Sequence, residues 1–152
     1  MGHSWRAATV YVVLAVAGAF VALLLTSFHV SIGAEARLCS SAAGCGTVNA
    51  SPYSKVAGIP IALMGLGAYV VIGGIALASL KRDSVRAWSA LVIFGISLVG
   101  VLYSAYLTYL ELYVIRAVCP WCVASAVIMT LIWMASMVEL WHRRRLATQV
   151  AT

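Results

Sequence analysis

Four long uncharged segments constrain the fold of this chain more than any other feature of its sequence. They contain no Asp, Glu, Lys or Arg, and they cover residues 7–30, 56–80, 87–110 and 117–138. Each exceeds the roughly 20 residues that an α-helix needs to cross the hydrocarbon core of a bilayer. Because backbone polar groups at that depth must pair within their own segment, each segment is predicted to be a helix. The sequence therefore predicts an all-α integral membrane protein, in which four transmembrane helices form one bundle and a single domain over residues 1–152.

The composition supports a membrane protein and argues against a nucleic-acid partner. Hydrophobic residues make up 64% of the chain and charged residues only 9%, whereas soluble domains carry about 25% charged residues. The net charge of +6 is not accompanied by a basic helix or an RNA-binding motif. A cleaved signal peptide is the alternative for the first segment, because "AEA" at residues 34–36 resembles a cleavage site. The apolar run before it is longer than the roughly 7–15 residues of a signal peptide, which favours a retained span.

The distribution of Lys and Arg predicts the orientation in the membrane. Four spans place both termini on one side, together with the loop between the second and third spans. That side carries seven basic residues and the other side three: Arg6, Lys81, Arg82, Arg86, Arg143, Arg144 and Arg145 against Arg37, Lys55 and Arg116. The excess predicts cytoplasmic termini in the cytoplasmic membrane. All four cysteines then lie at the outer face, where an oxidising environment favours disulfide chemistry.

The outer segment at residues 31–55 carries the first cysteine pair. In "CSSAAGC", small residues separate Cys39 from Cys45 and leave the loop flexible enough to close a disulfide. Further on, Ser51 suits a helix N-cap and the following proline suits a first helical position. A short outer-loop helix is therefore predicted from Ser51, ending at Gly58, with Pro60 in the first turn of the second span.

The second pair lies in "VCPWCVAS", directly before the last apolar run. If the fourth helix begins near Cys119, the positive end of its dipole stabilises a thiolate there. Pro120 fits a first helical turn because its missing N–H would have no partner anyway. Cys122 lies three residues on, about 4.5 Å deeper along the axis. We therefore expect Cys119 to face water and Cys122 to face a membrane-embedded pocket, where a lipid quinone is the obvious electron acceptor.

Two dithiols on one face predict a relay, with two alternatives. A disulfide can pass between Cys39–Cys45 and Cys119–Cys122 through a mixed-disulfide intermediate, with the loop pair meeting a protein outside. Alternatively, both pairs are structural disulfides, which is unusual in a bundle that lipid already constrains. The third possibility is zinc bound by four thiolates, which would make the chain a non-enzymatic metal-binding or transport protein.

Two features near the outer end of the third span are predicted to be structural. Glu111 is expected to pair with Arg116 at the interface. Four tyrosines near the same end are typical of an interfacial aromatic belt, although rings beside a redox centre could also flank a flat ligand: Tyr103, Tyr106, Tyr109 and Tyr113.

These motifs resemble the vitamin K epoxide reductase family in its bacterial single-domain form, over nearly the whole chain. The resemblance is carried by a cysteine pair in the first outer loop and by Ser51, six residues after the second of these cysteines. It continues in "GIPIALMGLGAY", at the start of the second span, and "YLTYLELYVIRAVCPWCVAS", before and into the fourth. The Cys-x-x-Cys at the head of the last helix is the most specific element. The DsbB-like family has its Cys-x-x-Cys in the first outer loop, the reverse of the order here.

The resemblance implies a four-helix bundle that encloses a quinone of menaquinone or ubiquinone type. Cys119 and Cys122 correspond to the active-site pair, with Cys122 next to the quinone. Cys39 and Cys45 correspond to the shuttle pair, and Ser51 to a hydroxyl residue near the active site. The implied function is a membrane thiol:quinone oxidoreductase that supports disulfide-bond formation by reoxidising a secreted thioredoxin-fold (DsbA-like) partner.

Two departures from the family pattern qualify that expectation. No thioredoxin-like domain is fused to the chain, so the partner is expected to be a separate protein. The tyrosine that animal members carry four residues after the second active-site cysteine is Ala126 here. Epoxide reduction and animal-type anticoagulant binding are therefore not predicted.

Overall fold

The computed structural model describes residues 2–30, 55–56 and 58–150, and this part of the chain forms four long helices. All four are long and apolar enough to cross a membrane, which confirms the predicted fold class. The helices are α1 (Gly2–Val30), α2 (Ile61–Lys81), α3 (Asp83–Leu110) and α4 (Pro120–Val150).

A short hairpin comes directly before the second helix. Two short strands precede it, β1 (Lys55–Val56) and β2 (Ile59–Pro60), which pair in an antiparallel ladder. Gly58 lies in the turn between them with φ of 84°, a conformation that glycine adopts readily. The sequence predicted Pro60 in the first turn of the second span, and α2 begins one residue later, at Ile61, directly after this hairpin. Most of the helix predicted from Ser51 lies outside the described residues, and the first described residues after that position are extended.

The last two helices are longer than the uncharged segments that predicted them. Only Arg82, in extended conformation, separates α2 from the start of α3 at Asp83. The far end of α3 continues as a π-helix over Glu111–Ile115. The fourth helix runs to Val150, well past the predicted end of the span at residue 138. Helix extends here beyond the apolar runs because charged side chains such as those of "HRRRL" are good helix formers once they are in water.

The helices pack as a closed ring. Helix α1 contacts α2 and α4, and α3 contacts the other sides of the same two helices. The shared core is buried and contains small side chains where helices approach closely; its buried members are Tyr11, Ala15, Ala22, Tyr69, Ile72, Ala76, Ile93, Met129 and Ile132. Buried serines are satisfied by their own helices, as where Ser97 Oγ donates to the Ile93 carbonyl at 2.7 Å.

Large apolar side chains cover the outside of the ring. Val16 is 64% exposed, Val99 67% and Leu102 64%. So many exposed apolar side chains on every helix would be unusual in a soluble protein. They are what a bundle surrounded by lipid requires.

A polar network holds the end of the bundle where α1 and α3 begin. Glu139 on α4 accepts a hydrogen bond from the Tyr11 hydroxyl on α1 at 2.9 Å. Its other oxygen forms an ion pair with Arg143. Arg143 also donates to the carbonyl of Arg86 at 2.6 Å, close to the start of α3. Three helices are thus joined at this end by groups that satisfy one another.

Candidate redox site at the start of the fourth helix

Cys119 lies at the N-terminus of α4, as the sequence predicted. Its carbonyl accepts the first hydrogen bond of the helix from Val123 N at 3.1 Å. Pro120 is the first helical residue, a position where a missing N–H leaves nothing unsatisfied. Cys119 therefore lies at the positive end of the α4 dipole.

Glu111 organises the linker that leads into this helix. Its carbonyl accepts hydrogen bonds from the backbone N–H groups of Arg116 and Ala117, the latter at 3.1 Å. Arg116 takes a left-handed conformation with φ of 53°, which turns the chain back toward α4. The Glu111 side chain accepts a hydrogen bond from Cys119 N, with Oε2 at 3.3 Å. One residue thus ties the end of α3 to the start of α4.

The predicted pairing of Glu111 with Arg116 is wrong. Among the described residues the ion pairs are Arg86–Asp83 and Arg143–Glu139, both near the other end of the bundle. Glu111 is 4% exposed, and its carboxylate hydrogen-bonds the side chain of Cys122 instead. Sequence reasoning missed this role, although a signal was available. A carboxylate at the lipid-embedded end of an otherwise uncharged run is expensive to bury and is therefore a functional candidate.

The two sulfurs of the helix pair differ in burial, and not in the expected order. Cys119 is 0% exposed and packs in a cluster with Val21 and Leu25 of α1. The expectation that Cys119 faces water is therefore wrong for this conformation, because its side chain turns toward α1. Cys122 is half-buried and lines a cavity, which agrees with its expected position.

The cavity lies between the four helices, in the half of the bundle next to Cys119. Its volume is about 540 Å³, within the roughly 300–1,000 Å³ typical of small-molecule sites. Most of its wall is apolar, and its polar side chains are Tyr69, Tyr103, Ser104, Thr108, Glu111, Cys122 and Ser125. An apolar ring system with two polar oxygens fits such a wall, since the hydrocarbon lining suits the ring and the few polar groups suit the oxygens.

One wall of the cavity is fixed by Tyr69 of α2. Its hydroxyl donates to the Ser125 carbonyl at 2.9 Å and lies 3.0 Å from Ser125 Oγ, which joins α2 to α4. Its ring lies directly against Gly18 of α1, where a Cβ atom would overlap the ring atoms. The approach of α1 to α2 at this level therefore depends on the absence of a side chain at Gly18.

The predicted tyrosine cluster divides into two roles. Tyr103 lines the cavity, whereas Tyr106, Tyr109 and Tyr113 are exposed on the outside of the bundle. Tyr109 and Tyr113 pack ring against ring, with centroids 4.9 Å apart. The exposed three suit an interfacial belt, and only Tyr103 is placed to meet a ligand.

Three predicted site residues lie outside the part of the chain that the structure describes. They are Cys39, Cys45 and Ser51. Within the described part, no group of three or more His, Cys, Asp or Glu side chains is placed to hold a metal ion. The four-sulfur zinc site would need the two loop cysteines, so it falls outside that part as well.

A sulfur and a carboxylate that contact each other at the wall of an apolar cavity suit two-electron, two-proton chemistry. The family model described as the vitamin K epoxide reductase family matches residues 9–137, most of the chain. The chain belongs to the vitamin K epoxide reductase family. A comparison with the curated proteins found no match.

Membership in the vitamin K epoxide reductase family makes the protein a membrane oxidoreductase of the thiol–disulfide/quinone type. The family uses quinone as an electron partner and generally acts with a thioredoxin-like protein. The non-enzymatic metal-binding alternative is set aside on this ground. The matched range contains all four cysteines, so the whole predicted redox set lies within the family domain.

The cavity also shows where this chain departs from animal members of the family. Ala126, which replaces their tyrosine, lines the cavity. An alanine offers no hydrogen-bonding group there, so the nearest polar groups from α4 are Cys122 and Ser125. The departure seen in the sequence therefore falls on the wall of the candidate site.

Proposed function

We propose that the protein reoxidises a secreted thioredoxin-fold (DsbA-like) partner and passes the electrons to a membrane quinone of menaquinone or ubiquinone type. The observation that supports this most is the placement of Cys122 on the wall of the apolar cavity, in contact with the Glu111 carboxylate. A lipid-soluble acceptor can enter such a cavity from the bilayer, whereas a water-soluble protein cannot.

The four cysteines divide the work between a loop and a helix. A thiolate of the partner attacks the Cys39–Cys45 disulfide, and the partner's second thiol then releases an oxidised partner and a reduced loop pair. The loop pair next reduces the Cys119–Cys122 disulfide through a bond between one sulfur of each pair. Each exchange moves two electrons and leaves one disulfide for every disulfide broken. A bound quinone supplies the final sink by accepting two electrons and two protons.

The complete burial of Cys119 supports this division. Because Cys119 is 0% exposed and packs in a cluster with Val21 and Leu25 of α1, a folded protein cannot dock on its sulfur directly. A loop of the same chain can carry a sulfur to it with a small local opening, at a high effective concentration. Ser51, six residues after Cys45, is proposed to lie near the active site, as in other members of the family.

The proposed orientation places both termini in the cytoplasm and all four cysteines at the outer face of the cytoplasmic membrane. Seven of the ten basic residues lie at or beyond the end of the bundle that carries the Glu139–Arg143 network. The positive-inside rule assigns that end to the cytoplasm. The cavity and Cys119 then lie in the outer half of the bundle. A secreted partner is available on that side of the membrane.

The decisive experiment measures quinone reduction by the purified protein with two electron donors, a reduced DsbA-like protein and dithiothreitol. Cys122→Ala is expected to lose activity with both donors, because Cys122 is the sulfur at the cavity. Cys39→Ala and Cys45→Ala are expected to lose activity with the protein donor but keep it with dithiothreitol, since a small dithiol that enters the cavity meets Cys122. Val123→Ala, which changes an exposed neighbour on the same helix, is the matched control and should behave as wild type.

Two results would contradict the proposal in different ways. Quinone reduction by Cys122→Ala at the wild-type rate would remove the role of the cavity sulfur. Loop variants that lose activity with dithiothreitol as completely as Cys122→Ala would remove the two-pair relay.

A further inference from the structure

The proposed reaction requires protons as well as electrons to move through the cavity. Oxidation of a dithiol to a disulfide releases two protons, and reduction of a quinone takes up two. Thiols and quinone oxygens inside a lipid-facing cavity have little bulk water with which to exchange them. A protein group that both touches the sulfur and lines the cavity can transfer a proton between them.

Glu111 is placed for that transfer. Among the described residues that line the cavity, it is the only carboxylate. It contacts the side chain of Cys122, and its Oε2 is held at 3.3 Å by the backbone N–H of Cys119. One side of the carboxylate is thus anchored to the start of α4, while the group as a whole reaches the reacting sulfur.

The hydroxyl groups of Tyr69 and Thr108 at the cavity wall are less suited to this task. The Tyr69 hydroxyl is already used in hydrogen bonds to Ser125. The Thr108 hydroxyl donates to the carbonyl of Ser104 on its own helix, at 2.9 Å. Serine and threonine hydroxyls do not ionise in the physiological range, whereas a carboxyl group can hold or release a proton there.

The local backbone is built around this residue. Glu111 begins the π-helix at the end of α3, and π-helical turns occur frequently at functional sites. The wider turn lets the Glu111 carbonyl accept from the N–H groups of Arg116 and Ala117. The main chain at Glu111 is therefore held by bonds that do not depend on the state of the sulfurs.

We propose that Glu111 is a catalytic proton-transfer residue: it accepts the proton of the Cys122 thiol as that sulfur gives up electrons, and it delivers the proton to the acceptor bound in the cavity. The inference rests on the proposed function and names the residue that couples proton transfer to it. The sulfur loses an S–H bond and the carboxylate gains an O–H bond. The Cys119 thiol supplies the second proton, which the acceptor also takes up, so the two electrons and two protons that leave the cysteine pair all reach the acceptor.

The test uses reduced, quinone-free protein in which Cys119→Ser leaves Cys122 as the sole thiol of the helix pair. The rate of Cys122 alkylation by iodoacetamide is followed against pH by peptide mass spectrometry. Two groups in contact titrate as a coupled pair, so the logarithm of the rate should show two inflections. Adding Glu111→Gln, which keeps the size and hydrogen-bonding capacity of the side chain, should leave one. Adding Glu139→Gln, which removes a carboxylate at the other end of the bundle, should leave two.

Turnover with quinone in the protein with all four cysteines provides the second readout. Glu111→Gln should lower kcat by about 100-fold or more, the usual contribution of a general acid–base group, with KM for quinone unchanged. Two inflections in the Glu111→Gln profile, or a kcat no lower than that of Glu139→Gln, would overturn the proposal. If Glu111→Gln does not fold, Glu111→Asp decides: two inflections with a lowered kcat support the role, and one inflection overturns it.

Failure of this inference can be told from failure of the proposed function. A wild-type protein that reduces no quinone would end the proposed function. The alkylation profile is measured without quinone, so it depends on the contact between Glu111 and Cys122 alone.

Discussion

Replacing Gly18 by alanine should destabilise the bundle and displace a wall of the cavity. A Cβ atom at this position would overlap three ring atoms of Tyr69, which is 1% exposed and cannot move outward. The ring is rigid, and its hydroxyl is tied to Ser125 on α4. The methyl group must therefore push α1 away from α2 or break the Tyr69–Ser125 contact.

The size of the effect follows from two contributions. Overpacking a tight core by one methyl group costs about 1–3 kcal/mol. Loss of the Tyr69 hydrogen bond would add about 1 kcal/mol. Alanine also favours helix over glycine by about 1 kcal/mol, which acts in the opposite direction. Gly74→Ala on α2 isolates the clash, because nothing lies within 4 Å of a Cβ atom there. The helix-propensity gain is common to both variants, so their difference in stability should be about 1–4 kcal/mol.

The assay is unfolding of the detergent-purified variants by sodium dodecyl sulfate, with the free energy of unfolding read from the change in helicity. Gly18→Ala should unfold well before Gly74→Ala, which should match or exceed wild type. Combining Gly18→Ala with Tyr69→Ala should remove the penalty of the first change, since the overlapping ring is gone, and give a coupling energy of about 0.5–3 kcal/mol. Equal stability of Gly18→Ala and Gly74→Ala would refute the close approach of α1 to α2 at Tyr69.

Two further predictions concern the opposite end of the bundle and the orientation. Glu139→Gln should lower the free energy of unfolding by about 1–3 kcal/mol in the same assay, because the charged hydrogen bonds to Arg143 are lost while the Arg143 side chain stays partly buried. An unchanged free energy of unfolding would contradict the network. A membrane-impermeant maleimide should label the reduced cysteines of intact cells. Labelling that requires broken membranes would reverse the orientation.

The fold was predictable because its main determinant, the length of the uncharged segments, can be read directly from the sequence. Uncharged runs of sufficient length had to become helices, and all four did. The ends of the helices were less predictable, because charge marks the edge of the lipid and not the end of the helix. The start of α2 at Ile61 lies one residue from the expected Pro60, whereas the hairpin before it depends on a positive φ at Gly58 that the sequence permits but does not require.

The site was predictable where it depends on the local chain and not where it depends on neighbouring helices. The start of α4 at Pro120, with Cys119 before it, follows from backbone preferences alone. The burial of Cys119 does not, because it involves packing against Val21 and Leu25 of another helix. Glu111 was misassigned for the same reason: Arg116 is near in sequence, whereas Cys122 comes near only when the linker folds back onto α4.

The contact between Glu111 and Cys122 also gives a physical reason for placing an acid at the head of α4. A change in net charge within an apolar cavity is costly, since neither water nor a counter-ion compensates it. Transfer of a proton from the Cys122 thiol to the Glu111 carboxylate leaves the net charge of the pair unchanged. The N-terminus of α4 stabilises one negative charge, and that charge lies on the carboxylate before the transfer and on the sulfur after it. The helix end can therefore favour an ionised sulfur during the reaction without a second buried charge at any stage.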